Sequence, residues 1–180
     1  MKDEAQKRVD DTLKSFAAYR DAGADGFVLW SDYAFNSGPF LSPDMFAEFI
    51  TPYLKQTIDG IRFLGCYAIK HTDGNIMPVI DQILACRPHA LHSLDPMAGM
   101  DIRLIKERYG HQVCLIGNVH CAYMQTGTPQ QIRESAEYAM THGKPGGGYI
   151  FSTSNVVFRG MPLQSYDLIH SIWMEHRDYA

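Results

Sequence analysis

Short continuous apolar runs alternate along this chain with longer stretches whose apolar residues recur every three or four positions. The first pattern predicts strands buried on both faces, and the second predicts helices with one apolar stripe. Val9, Leu13, Phe16 and Ala17 share one face of a helix over 3–22, which Gly23 ends. "GFVLWSD" (26–32) then predicts the first strand. "LSPDMFAEFITPYLKQTIDGIR" opens with Ser42 as N-cap and Pro43 at the first helical position, and Pro52 kinks or breaks that helix. The residues of "MFAEFITPY" recur at helical spacing and belong to the core. Further strands are expected at 64–70, 90–94, 112–118 and 148–152, with helices at 75–85, 101–109, 129–142 and 163–178. Thr128-Pro129 forms another N-cap and first-turn pair.

Five strands, each followed by a helix and joined by short loops, make a single α/β domain over 1–180, built of parallel βα units with right-handed crossovers. Two closures fit, an open doubly wound sheet or part of a (βα)8 barrel. No glycine-rich phosphate fingerprint follows the first strand. "GKPGGGYI" sets its three glycines before a strand rather than at the start of a helix, so it reads as a tight turn.

Composition narrows the partners. The chain is 46% hydrophobic and 20% charged, ordinary for a globular protein, and its formal charge of −4 gives no basic footprint for nucleic acid. No apolar run approaches the roughly 20 residues of a membrane span, and "MKDEAQKRVDDTLKSF" lacks a signal-peptide core. A cytoplasmic protein is the expectation. Cys66, Cys86, Cys114 and Cys121 form no CxxC pair and read as free, reduced thiols.

In either closure, function sits at the carboxyl ends of the strands. These ends read Trp30-Ser31-Asp32-Tyr33, then His71-Thr72-Asp73-Gly74-Asn75, then His92, Ser93 and Asp95, then Asn118, His120 and Cys121, then Ser152, Ser154 and Asn155. Polar residues also cap helices and shape turns, so Asp73 has a bland role as a cap near Asn75, and Asp95-Pro96 is an ordinary turn. Several such ends converging on one mouth are a site hypothesis.

"SDYAFNSGPFLSPDMFAEFITPYLK", "HTDGNIMPVIDQI", "HSLDPMAGMDIRLIKERYG", "VCLIGNVH", "GTPQQIRESAEYAM" and "GGGYIFSTSNVVFRGMP" together resemble successive segments of the uroporphyrinogen decarboxylase superfamily. This superfamily joins the decarboxylase to cobalamin-dependent methyltransferases. The resemblance implies a partial (βα)8 TIM-type barrel, about five parallel βα units from the C-terminal part of the barrel. Two strand edges would then be unpaired. Val28, Trp30, Ile69, Leu115 and Ile150, whichever alternate to the inner face, would meet water. A homodimer, or a separate chain supplying the missing units, is expected to cover that face.

The methyltransferases of the superfamily carry a His-x-Cys pair after one strand and a later cysteine, which hold zinc. Here the pair reads His71-Thr72-Asp73, and the late position falls in "FSTSNVV". The resemblance implies corrinoid-linked methyl transfer to or from a small molecule, with zinc at His71 and Asp73 and corrinoid only through a partner protein. His71, Asp73 and Asp32 are the candidate catalytic residues. Trp30, Tyr33, Asn75, His92, Asn118, Ser154 and Asn155 are the candidates for substrate contact. The alternative is tetrapyrrole decarboxylation, which needs no cofactor but needs cations for substrate carboxylates. The strand ends offer Lys70, Arg159 and the histidines for that purpose, while Asp32 would repel such a substrate. A third reading is a non-catalytic binding or scaffold domain.

Overall fold

The computed structural model describes residues 2–179. Its elements in chain order are α1 (Lys2–Asp21), β1 (Gly26–Trp30), β2 (Ala34–Phe35), β3 (Gly38–Pro39), α2 (Pro43–Phe49) and α3 (Thr51–Phe63). They continue with β4 (Tyr67–Thr72), α4 (Ile80–Ala85), β5 (Ala90–Ser93), α5 (Ile102–Tyr109), β6 (Cys114–Val119), α6 (Cys121–Thr126), α7 (Pro129–Gly143), β7 (Tyr149–Thr153) and α8 (Leu163–His176). Five strands form one parallel sheet in the order β1-β4-β5-β6-β7, the sequential order of a barrel segment.

Local chemistry sets several boundaries. The Ser42 side chain accepts from the Met45 N–H at the start of α2, and Pro52 sits in the first turn of α3. The helix around Pro52 is therefore broken in two at Ile50, not kinked. Thr128 and Gln131 form a reciprocal capping box at the start of α7. The strand expected at 64–70 is displaced to Tyr67–Thr72. Leu64 caps α3 and Gly65 turns the chain with positive φ, so the apolar run "FLGCYAI" spans a helix end, a turn and a strand. The helix expected at 75–85 is a 3-10 turn at Met77–Val79 followed by the short α4. The hairpin β2–β3 and helix α6 were not signalled by the apolar pattern, both being very short.

The two faces of the sheet differ sharply. On one face, Ala68, Leu91, Leu115 and Val119 are fully buried beneath the helices. That core continues through Ile58 and Ile61 of α3, Ile80 and Ile83 of α4 and Ile102 and Ile105 of α5. A second cluster joins Val119 to Met124, Ile132, Ala136, Ile169 and Ile172. The opposite face is open. Val28 is 54% exposed, Trp30 82%, Tyr67 61% and Ile150 51%. Leu115 belongs to the covered face, since Cys114 and Ile116 alternate toward the open one. No helix among the described residues is long and apolar enough to cross a membrane. All four cysteines are free thiols.

Candidate metal centre at the strand carboxyl ends

Strands β1 and β4 run in register, with Trp30 beside His71. Their carboxyl ends are tied by a small network. The Tyr33 N–H donates to Thr72 Oγ1 at 2.9 Å, and the Asp73 N–H donates to Asp32 Oδ1 at 3.0 Å. Gly74 follows with φ of +84°, and a Cβ there would lie 2.3 Å from the Ala34 carbonyl oxygen. Only glycine lets the hairpin β2–β3 press against this turn, and the Asn75 N–H donates to the Phe35 carbonyl across the contact.

Asp32, His71 and Asp73 converge, each offering one ligand atom within 4.8 Å of the others. The His71 Nε2 lies 3.9 Å from Asp32 Oδ1 and 3.7 Å from Asp73 Oδ1. The cap role open to Asp73 is filled by Asn75, whose Oδ1 accepts from the Met77 N–H at 3.1 Å. Asp73 Oδ1 is buried without a hydrogen-bond partner. A buried acceptor without a partner bears the full cost of desolvation, so this oxygen is open to a donor or a ligand.

His92 stands beside His71 on the open face of β5, in register with it. Their Nδ1 atoms are 2.7 Å apart, and His92 Nε2 is 3.3 Å from the Thr153 carbonyl oxygen. Burial and the neighbouring His71 hold His92 below the ordinary histidine value. "KHT" and "LHS" each place a histidine one residue before a strand's end, and the register of β4 with β5 brings the two together.

The other candidates divide. Trp30 forms an exposed rim beside His71. Tyr33 turns toward the covered core, where its ring meets Phe46 edge-on. Asn118 is buried and its amide donates to the Leu94 and Met100 carbonyls, which fixes the loop after β5. Asn155 engages Cys121, whose sulfur meets both its backbone N–H (3.1 Å) and its carbonyl (3.4 Å). Ser154 and Ser93 are fully buried with hydroxyl oxygens that have no partner, and His120 Nδ1 is likewise a buried atom without one. Burial pushes the Asp95 carboxyl up, even though its side chain caps the 3-10 turn at Met97.

One residue behind the site had no signal for its role. Lys70, fully buried on the covered face, donates to the carbonyls of Leu29 (3.2 Å), Ser31 (2.8 Å) and His71 (2.5 Å). Its ammonium also lies 4.0 Å over the Tyr33 ring. Burial pulls Lys70 down to about 7, against the upward pull of Asp32. Lys70 thus clamps the loop bearing Asp32 to the strand bearing His71.

The donor set suits a divalent cation. Imidazole and carboxylate bind such ions at about 2.0–2.2 Å, so the ligand atoms, now within 4.8 Å of one another, would draw together around an ion. Three protein ligands leave positions open for a substrate, the pattern of a catalytic centre.

Comparison with known proteins gives the family. No curated protein sequence matches the chain. Among solved structures, a methyltransferase from Methanosarcina mazei superposes with a TM-score of 0.77 at 20% identity, over 94% of this chain and 48% of that one. The chain therefore spans about half the length of that structure, and the likeness is one of fold. The family model described as uroporphyrinogen decarboxylase (URO-D) matches residues 5–172, and this chain belongs to that family.

Proposed function

We propose that the chain holds a divalent cation between Asp32, His71 and Asp73 and serves methyl transfer between a corrinoid-carrying protein and a small molecule. The observation that carries the reading is the His71 Nε2 facing two carboxylates while its other nitrogen is occupied by His92. The buried, unpartnered Asp73 Oδ1 adds to it. Asp73 stands where the resemblance implies a zinc-bound cysteine, so an oxygen donor takes the place of a thiolate. Two carboxylates and an imidazole suit zinc, and also the other first-row divalent ions such as manganese, iron or cobalt.

When bound, the cation would supply Lewis-acid activation of the methyl acceptor, lowering its pKa so that it attacks as an anion. The protein's own groups supply the rest. Asp32 and Asp73 provide negative charge against the cation, His71 provides a neutral donor, and Trp30 gives an apolar wall beside them. Decarboxylation of a polycarboxylate fits this mouth less well. Two carboxylates face the substrate side, and Lys70 is engaged by backbone carbonyls on the covered face.

The test is metal analysis of the purified protein joined to a methyl-transfer assay with a methylated corrinoid protein. About one divalent ion per chain, lost together with transfer in His71→Ala, is the expected result. A metal-free protein that cannot be loaded, or transfer untouched by His71→Ala, overturns the reading.

A further inference from the structure

The site residues are held by a chain of contacts that crosses the sheet, and its direction follows from one backbone atom. The Thr153 carbonyl on β7 can only accept a hydrogen bond. His92 Nε2, 3.3 Å away, must therefore carry the proton of that contact. A neutral imidazole protonated at Nε2 has a lone pair at Nδ1. The His71 Nδ1, 2.7 Å from it, must then be the donor, which in the neutral ring that a cation requires leaves the lone pair of His71 at Nε2. That is the nitrogen facing Asp32 and Asp73.

We infer that His92 is a positioning residue, which through its contacts with Thr153 and His71 fixes His71 as the Nδ1-protonated tautomer with Nε2 free to bind a cation. The inference rests on the metal-site reading above and deepens it, by assigning His92 a role other than contact with substrate. It also gives the β7 edge strand a part in a site whose ligands all lie on β1 and β4 or just beyond them. The geometry makes the role of His92 specific. Only 16% of the His71 side chain is exposed, so water has little access to replace the imidazole as the partner of Nδ1. Outer partners of this kind typically change metal affinity by about 10–100-fold when removed.

The experiment uses the full chain, first without metal. Imidazole 15N NMR of the metal-free protein reports which nitrogen of each ring carries the proton. The expected spectrum shows His71 protonated at Nδ1 and His92 protonated at Nε2. A His71 ring protonated at Nε2 alone overturns the inference, whatever the protein does with metal. The second arm compares zinc affinity of the wild type, His92→Phe and His92→Gln. Phenylalanine keeps the bulk and removes the acceptor, so a loss of about 10–100-fold is expected. Glutamine brings a carbonyl oxygen that can accept from Nδ1–H, so affinity is expected to recover in part. Equal affinity in all three proteins overturns the positioning role. A wild type with the expected tautomers that binds no metal leaves the inference standing and sinks the metal reading instead.

Discussion

Two neighbouring residues on β4 show the two sides of the sheet. Lys70 points to the helix-covered face, is fully buried, and uses its ammonium on three backbone carbonyls. His71 points to the open face and uses its ring on another histidine and two carboxylates. The covered face defines where β1 and β4 sit, and on the open face that placement brings His71 to Asp32 and Asp73. A charged residue beside a strand end is thus no guide to which role it has. Side-chain alternation decides it.

The contrast can be broken by substitution, and the largest effect belongs to the covered core. Leu91→Ala is expected to cost about 2–5 kcal/mol in chemical denaturation, because Leu91 is fully buried under the helices. A cost below about 1 kcal/mol would mean that the covered face is not the core.

Lys70→Met comes next. It keeps the apolar stem but leaves the Ser31 and His71 carbonyls without their donor, at an expected cost of about 1–3 kcal/mol. The same variant is expected to weaken cation binding, since the loop bearing Asp32 loses its tie to β4. Denaturation and metal titration read the two effects separately, and a variant unchanged in both removes Lys70 from the account.

The lysine also predicts a pH dependence. Its folded value of about 7 lies below the ordinary lysine value near 10.4, so between these limits the unfolded chain binds more protons than the native one. Stability contributed by this group therefore rises with pH across that window, by at most about 1.4 kcal/mol per pH unit. Urea denaturation at pH 7, 8 and 9 should show the rise in the wild type and a flatter profile in Lys70→Met. Parallel profiles would contradict it.

The smallest change in fold stability is expected on the open face. Trp30→Ala should alter unimolecular stability by no more than about 0.5 kcal/mol, as its ring is largely in water. The homodimer expected from the sequence would bury this ring, and Trp30→Ala would then weaken association. Sedimentation velocity at micromolar concentration reads this, and a monomeric wild type contradicts a dimer across the open face.

The sequence made the fold legible because continuous apolar runs mark all five strands, although the sheet buries only one face rather than the two that such runs predict. Boundaries were less legible where one run crossed several elements, as in "FLGCYAI", or where Pro78 left only a 3-10 turn before α4. At the site, strand ends and the "HTDGN" motif led to Asp32, His71 and Asp73, which do meet. Tyr33 and Asn118 lie at the same strand ends, yet one ring packs inward and the other amide holds a loop. Position along the chain does not reveal rotation about the strand axis. The bond from His71 to His92 depends on register between strands, which no local pattern records.

The central claim is a cation held by oxygen and imidazole in a position where the resemblance implies sulfur. X-ray absorption spectroscopy of the zinc-loaded protein addresses it most directly. The account predicts a first shell of oxygen and nitrogen at about 2.0–2.2 Å with one imidazole, diminished in His71→Ala. A sulfur shell at about 2.3 Å would contradict it, because the cation would then sit on a thiolate such as that of Cys121 rather than between Asp32, His71 and Asp73.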